Sequence, residues 1–161
     1  MPIVLLRVDE RLIHGQVVVG WGTPLHPDRI VVVDDDIAGS GWEQDLYRLG
    51  VTPELEAVFL SVADAAKSIE SWRRERRRSI VLLRDIATLL RLAPSLRPAD
   101  GEINLGGVHF EEGRTEALPY LYLSPDERAA LRRLREMGLE ATARDLPASR
   151  RVPLDELLGR S

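Results

Sequence analysis

Two unbroken apolar runs constrain this chain more than any other feature: "RIVVV" before Asp34 and "SIVLL" before Arg84. Each has the length of one strand, is rich in branched side chains, and lacks the alternation that marks a sheet with one wet face. A strand that is apolar on both sides must be covered on both sides, which is the setting of a parallel strand between two helix layers. The rest of the chain keeps to that plan. Strands are predicted at residues 3–7, 29–34, 57–60, 79–84, 102–107 and 139–144, and helices at 15–22, 41–49, 61–77, 86–92, 124–137 and 153–158. Ser61 with Asp64, and Ser124 with Pro125 and Glu127, are helix-start signals, a capping hydroxyl with an acid three residues on. Residues 114–123 are expected to form short edge pieces, because Pro119 has no N–H for a ladder. Such alternation implies an α/β fold, an open, mostly parallel twisted sheet with helices on both faces.

Composition narrows the chemistry. The chain of 161 residues suits a single domain, and 44% hydrophobic with 30% charged residues is ordinary globular composition. There is no cysteine, so disulfides, thiolate metal sites and cysteine nucleophiles are excluded. A net charge of -4 argues against nucleic-acid binding. The run "RRERRR", residues 73–78, reads as a solvated helix end whose cations complement the helix dipole. The apolar start, residues 3–6, meets Arg7, Asp9, Glu10 and Arg11 at once, so no signal peptide is expected. No segment approaches the ~20 apolar residues of a membrane helix, so a cytoplasmic chain without membrane insertion is expected.

In open α/β sheets, ligands bind beyond the carboxyl ends of the strands. The residues there are Asp9 to His14, then Asp34 to Asp36, then Arg84 and Asp85, and finally Asn104 to His109, with Asp34, Asp35, Arg84, Asn104, Gly106 and Gly107 the candidate rim. The first group, within "RVDERLIHGQV", is the densest. A neutral imidazole is a good nucleophile near pH 7, and a phosphoryl group on it is easily passed on. Arg11 offers a planar donor fork, and N–H groups from Gly15 onward, at a helix start, can bind phosphoryl oxygens. Of the other histidines, His26 stands between prolines and caps a loop or faces solvent. No histidine spacing matches a metal motif, and neither metal nor cofactor is expected.

The same stretch resembles the active-site signature of the B components (enzyme IIB) of the mannose/fructose/sorbose class of sugar phosphotransferase systems. The likeness continues in order through "IVVVDDDIA", "SIVLLRDIATLLRL", "INLGGVHFEEGRT", "YLSPDERAALRRLREMGLEATAR" and "VPLDELL", nearly the whole chain. The resemblance implies a phosphocarrier whose loop histidine takes a phosphoryl group from a phosphohistidine on the A component. It passes that group to a sugar imported by the membrane C and D components. His14 matches the phosphorylated histidine, Arg11 the arginine beside it, and Asp9 and Gln16 further members of the signature; Glu10 stands where Asp is common. The family's fold, a sheet of about seven strands, agrees with the strand reading, with the last strands at an edge where antiparallel pairing is open. "NLGG" is expected to bring Gly106 and Gly107 toward the His14 loop, against the alternative of a tight turn needing positive φ.

Other readings stand beside this one. Histidine phosphatases carry Arg-His-Gly, but Ile13 precedes His14 here. A receiver domain places its acid pair after the first strand, not in "VVVDDD". A regulatory phosphoprotein, phosphorylated at His14 but signalling to a partner, fits the same residues. The sugar, the oligomeric state and the phosphorylated nitrogen are not legible.

Overall fold

The computed structural model describes residues 3–159. Strand β1 (Ile3–Val8) lies in the middle of a seven-stranded sheet, paired in parallel with β4 (Ser79–Leu83) and β5 (Ile103–Leu105). Beyond β4 come β2 (Arg29–Val33) and β3 (Glu56–Leu60); beyond β5 come β8 (Ala141–Ala143) and β9 (Val152–Pro153). Among the described residues of this sheet, only the edge pair, β8 with β9, is antiparallel.

The apolar runs are buried on both faces, as their lack of alternation demands. Val31, Val33, Val81 and Leu83 pack on one side against Val62, Ala65, Ile69 and Trp72 of α4 (Val62–Arg74), and on α5 (Ile86–Leu92) and α6 (Pro125–Glu136). Ile30, Val32, Ile80 and Leu82 face the other way, against Leu12, Ile13, Val17, Trp21 and Ile37. That second layer is made by the segment after β1 together with α2 (Asp35–Ala38) and α3 (Gly41–Arg48).

Several expected elements differ in detail. Residues 15–22 do not form an α-helix: Gln16–Trp21 winds as a π-helical turn, with the Gly22 N–H reaching the Val17 carbonyl, and runs into the short α1 (Gly22–Leu25). Three valines and a glycine have little intrinsic α preference, so local packing decides the winding. His26 closes α1 in the left-handed conformation and faces solvent. Helix α4 stops at Arg74, short of the expected 77, and Arg73 is not simply solvated, since it grips Asp100 at 2.7 Å. The edge pieces of residues 114–123 form their own antiparallel ribbon, β6 (Thr115–Leu118) with β7 (Leu121–Leu123), apart from the main sheet. The last strand contracts to β8, and β9 precedes α7 (Leu154–Leu158) where only a helix was expected.

Candidate functional site

The site begins as a continuation of β1. The Asp9 N–H donates to the Leu83 carbonyl at 2.9 Å and the Glu10 N–H to that of Gly107 at 3.0 Å, so the loop leaves the sheet between β4 and β5. The chain then turns sharply. Leu12 is fully buried at φ 57, a left-handed conformation uncommon for a branched residue, and its N–H closes on the Asp9 carbonyl at 2.9 Å. This turn folds His14 back over Asp9.

Asp9 is the hub. Its carboxylate, fully buried, accepts from the Arg7 guanidinium at 3.1 Å, from Arg11 Nε at 3.3 Å and from the Arg11 N–H at 3.1 Å. His14 Nε2 lies 3.2 Å from Asp9 Oδ2, off the ideal hydrogen-bond line but with no other partner among the described residues. Burial pushes the Asp9 carboxyl upward, but His14, Arg11 and Arg7 together outweigh it and hold the group well below the usual carboxylate range.

Arg7 is the buried counter-charge. Burial lowers its pKa, and Asp9 opposes that. It donates to Asn104 Oδ1 at 2.5 Å and to the carbonyls of Arg144 and Asp145 at 2.8 and 3.2 Å, and it stacks on Trp21 at 5.3 Å. Gly106 lies against it so closely that a Cβ there would sit 2.3 Å from Arg7 Cζ. Asn104 and Gly106 therefore cradle Arg7 and do not form the rim expected of them. Neither Gly106 nor Gly107 has positive φ. Gly107 does approach the loop, its Cβ direction meeting Arg11 Nη2 at 3.4 Å and Asp9 Oδ1 at 3.5 Å.

His14 turns its buried Nε2 toward Asp9, and the side chain as a whole is 16% exposed. The space in front of Gly15 is open, and among the described residues the N–H groups of Gly15 and Gln16 have no partner. Arg11, half exposed, donates through Nη2 to Gln16 Oε1 at 2.7 Å. Beside these residues opens a cleft of about 570 Å³ lined by Arg11, Gln16, Gly107, Phe110, Tyr120 and Asp145. Its wall is tied to the loop by Glu10, which accepts from the His109 N–H at 2.6 Å and pairs with the His109 ring.

The remaining expected rim residues serve elsewhere. Asp34 caps α2 through the N–H groups of Asp36 and Ile37 at 3.0 and 3.1 Å, with Arg84 3.8 Å away. Asp35 accepts from the Val62 N–H at 2.9 Å and from Arg91 at 2.8 Å. These contacts hold helices in place and none is with the His14 loop. Arg7, Trp21 and Asp145 are the members that sequence reasoning missed. A charge inside an apolar strand was a usable signal for Arg7; Asp145, far along the chain in an unremarked loop, carried none.

A histidine and an arginine that share one buried carboxylate, at the end of a central parallel strand, are the groups that phosphoryl chemistry can use. The model of the sorbose-subfamily IIB component of the phosphotransferase system (PTS) matches residues 3–161, and the chain belongs to that family. It is 32% identical over 149 residues to the fructose-specific EIIB component of the PTS of Bacillus subtilis (strain 168), covering 92% of this chain and 90% of that protein. It is 25% identical over 160 residues to the mannose-specific EIIAB component of Escherichia coli (strain K12), covering 99% of this chain but 49% of that one. The crystal structure of the IIBSor domain of the sorbose permease from Klebsiella pneumoniae shares the fold, with a TM-score of 0.86 at 24% identity over 98% of this chain and 96% of that one. The protein is thus a phosphotransferase, a IIB component that receives a phosphoryl group from a IIA component and passes it on to sugar.

Proposed function

We propose that His14 is the phosphoryl carrier and that Nδ1 is the atom that bears the group. The observation that carries this is the orientation of the ring: Nε2 is buried and faces the Asp9 carboxylate at 3.2 Å, which leaves Nδ1 as the nitrogen for a donor to meet. An ionised carboxylate selects the tautomer with the proton on Nε2, which leaves the Nδ1 lone pair as the nucleophile. In the first step Nδ1 attacks phosphorus on the donor's phosphohistidine, and the donor's N–P bond breaks with its electron pair returning to that nitrogen. The ring now carries positive charge, and Asp9 compensates it. In the second step a sugar hydroxyl oxygen attacks, the P–Nδ1 bond breaks back toward the ring, and the hydroxyl proton leaves to solvent or a base. Such transfer depends on positioning and charge stabilisation more than on covalent help from the protein. Arg11 and the free N–H groups of Gly15 and Gln16 are placed to supply both.

The donor is the phosphohistidine of an A component, and the acceptor is sugar held by membrane C and D components on which this chain docks peripherally. Covering only half of an EIIAB relative supports an A partner of domain size. No described helix is long and apolar enough to cross a membrane. Transport, not signalling, is the role that family membership favours. Incubated with a phosphorylated A component, the chain should gain one acid-labile, base-stable phosphoryl group on His14. The variant His14→Ala should remain folded and gain none. Label persisting in that variant, or mapping to His26 or His109, would overturn the assignment.

A further inference from the structure

Arg11 is long, half exposed and only loosely held by Asp9, at 3.3 and 3.4 Å, yet its guanidinium has to meet a phosphoryl group in a fixed orientation. Its shortest contact is with the Gln16 side-chain oxygen, at 2.7 Å. Arg11 has only donors, so the amide oxygen faces it, and the amide nitrogen at the other end needs an acceptor of its own to hold the side chain in place. Asp145 supplies that acceptor. Its Oδ1 accepts from Gln16 Nε2 at 2.7 Å, and a carboxylate accepts only donors, so the amide oxygen is left pointing at Arg11. The main-chain carbonyl of Asp145 accepts from Trp21 Nε1 at 3.0 Å and Arg7 Nη2 at 3.2 Å, and more weakly from Gln16 Nε2 at 3.4 Å, which makes the relay rigid at its far end.

We infer that Asp145 is a positioning residue for phosphoryl transfer, acting through the Gln16 carboxamide to hold the Arg11 guanidinium in its working orientation. This rests on the reading of His14 and Arg11 given above. It also gives the Gln16 side chain an orienting task, distinct from the phosphoryl contact that its N–H can make. A flexible cation would otherwise have to be ordered during the reaction, and ordering a long side chain opposes the rate.

The test uses the full chain and phosphoramidate, a small donor whose N–P bond breaks with release of ammonia, so that no partner surface is involved. Asp145→Ala is expected to lower the saturating rate of His14 phosphorylation about tenfold, with the half-saturating donor concentration changed less than about twofold. Asp145→Asn keeps an acceptor oxygen and should return the rate to within about twofold of wild type. In an Arg11→Ala background, Asp145→Ala should add less than about twofold, because the two act as one unit. The Gln16 amide signals, assigned by their loss in Gln16→Ala, should shift in Asp145→Ala and return in Asp145→Asn. Unchanged Gln16 signals in Asp145→Ala would overturn the relay, and an unchanged rate, or a tenfold loss that persists without Arg11, would overturn the positioning role. A wild-type chain that takes no label at all would overturn the phosphocarrier reading together with that role. The relay as a structure would then be judged by the amide signals alone.

Discussion

Arg11 shows how much depends on the shape of a charge. It spans Asp9 with Nε and Nη2 and still reaches Gln16, using the planar fork that lysine lacks. If its charge alone mattered, Arg11→Lys would be nearly silent. If the fork matters, Arg11→Lys should slow transfer through His14 by at least about tenfold and Arg11→Ala by more, within the roughly 10²–10³ range for removing one well-placed donor. Single-turnover transfer from a phosphorylated A component reads both variants. Near-wild-type rates in the two would leave Arg11 as a surface pair with Asp9, and exposed pairs of that kind contribute only about 0–1 kcal/mol. Asp9 resists such demotion, because it is buried and simultaneously holds Arg7, Arg11 and His14.

At the level of elements, β5 and the turn after it matter to the site through packing. Gly106 sits against the Arg7 side chain of β1, and Arg7 cannot retreat because it is fully buried among Asn104, Trp21 and two carbonyls. Gly106→Ala should therefore lower stability by about 1–3 kcal/mol, the usual cost of overpacking, and slow transfer as Asp9 is displaced. Gly107→Ala meets its neighbours at 3.4 Å or more, ordinary contact, and should unfold close to wild type in urea. Equal losses in the two would remove the cradle from the account. The elements also show what was legible. Valine and leucine runs announced β2 and β4, and Ser124 with Glu127 announced α6, whose reciprocal cap forms as expected. The π-helical turn after His14 was not legible, since apolar periodicity over six residues cannot separate it from an α-turn. Every parallel strand has a carboxyl end, which puts Asp34 and Asp35 on the expected rim, but helices start there too and claim the same acids. Asp145 needed the fold itself, for only the pairing of β5 with β8 brings it to Gln16.

Across the whole molecule, one ion pair couples the site to stability. Arg7 and Asp9 are both buried at the carboxyl end of the central strand, where β1, β5 and the segment after β8 converge. Removing one member of a buried pair strands the other, typically at about 3–5 kcal/mol, so Asp9→Asn should be destabilised by an amount of that order at neutral pH. The pH dependence follows from the direction of the Asp9 shift. Its pKa in the folded chain is below the unfolded value, so the unfolded chain binds the proton first on acidification. The contribution of ionised Asp9 is fully present above the ordinary carboxylate pKa of about 3.9 and declines as pH falls below it toward the folded value. Other depressed carboxyls, among them Asp100 and Glu102, titrate alike in both proteins and cancel in the difference. The stability gap between wild type and Asp9→Asn should thus narrow below about pH 4 by roughly 1.4 kcal/mol per unit, the slope of one proton. Urea unfolding of both proteins at a series of pH values measures it. A gap that stays constant down to pH ~2.5, or widens in acid, would show that Asp9 is not the buried anion that neutralises Arg7 and orients His14.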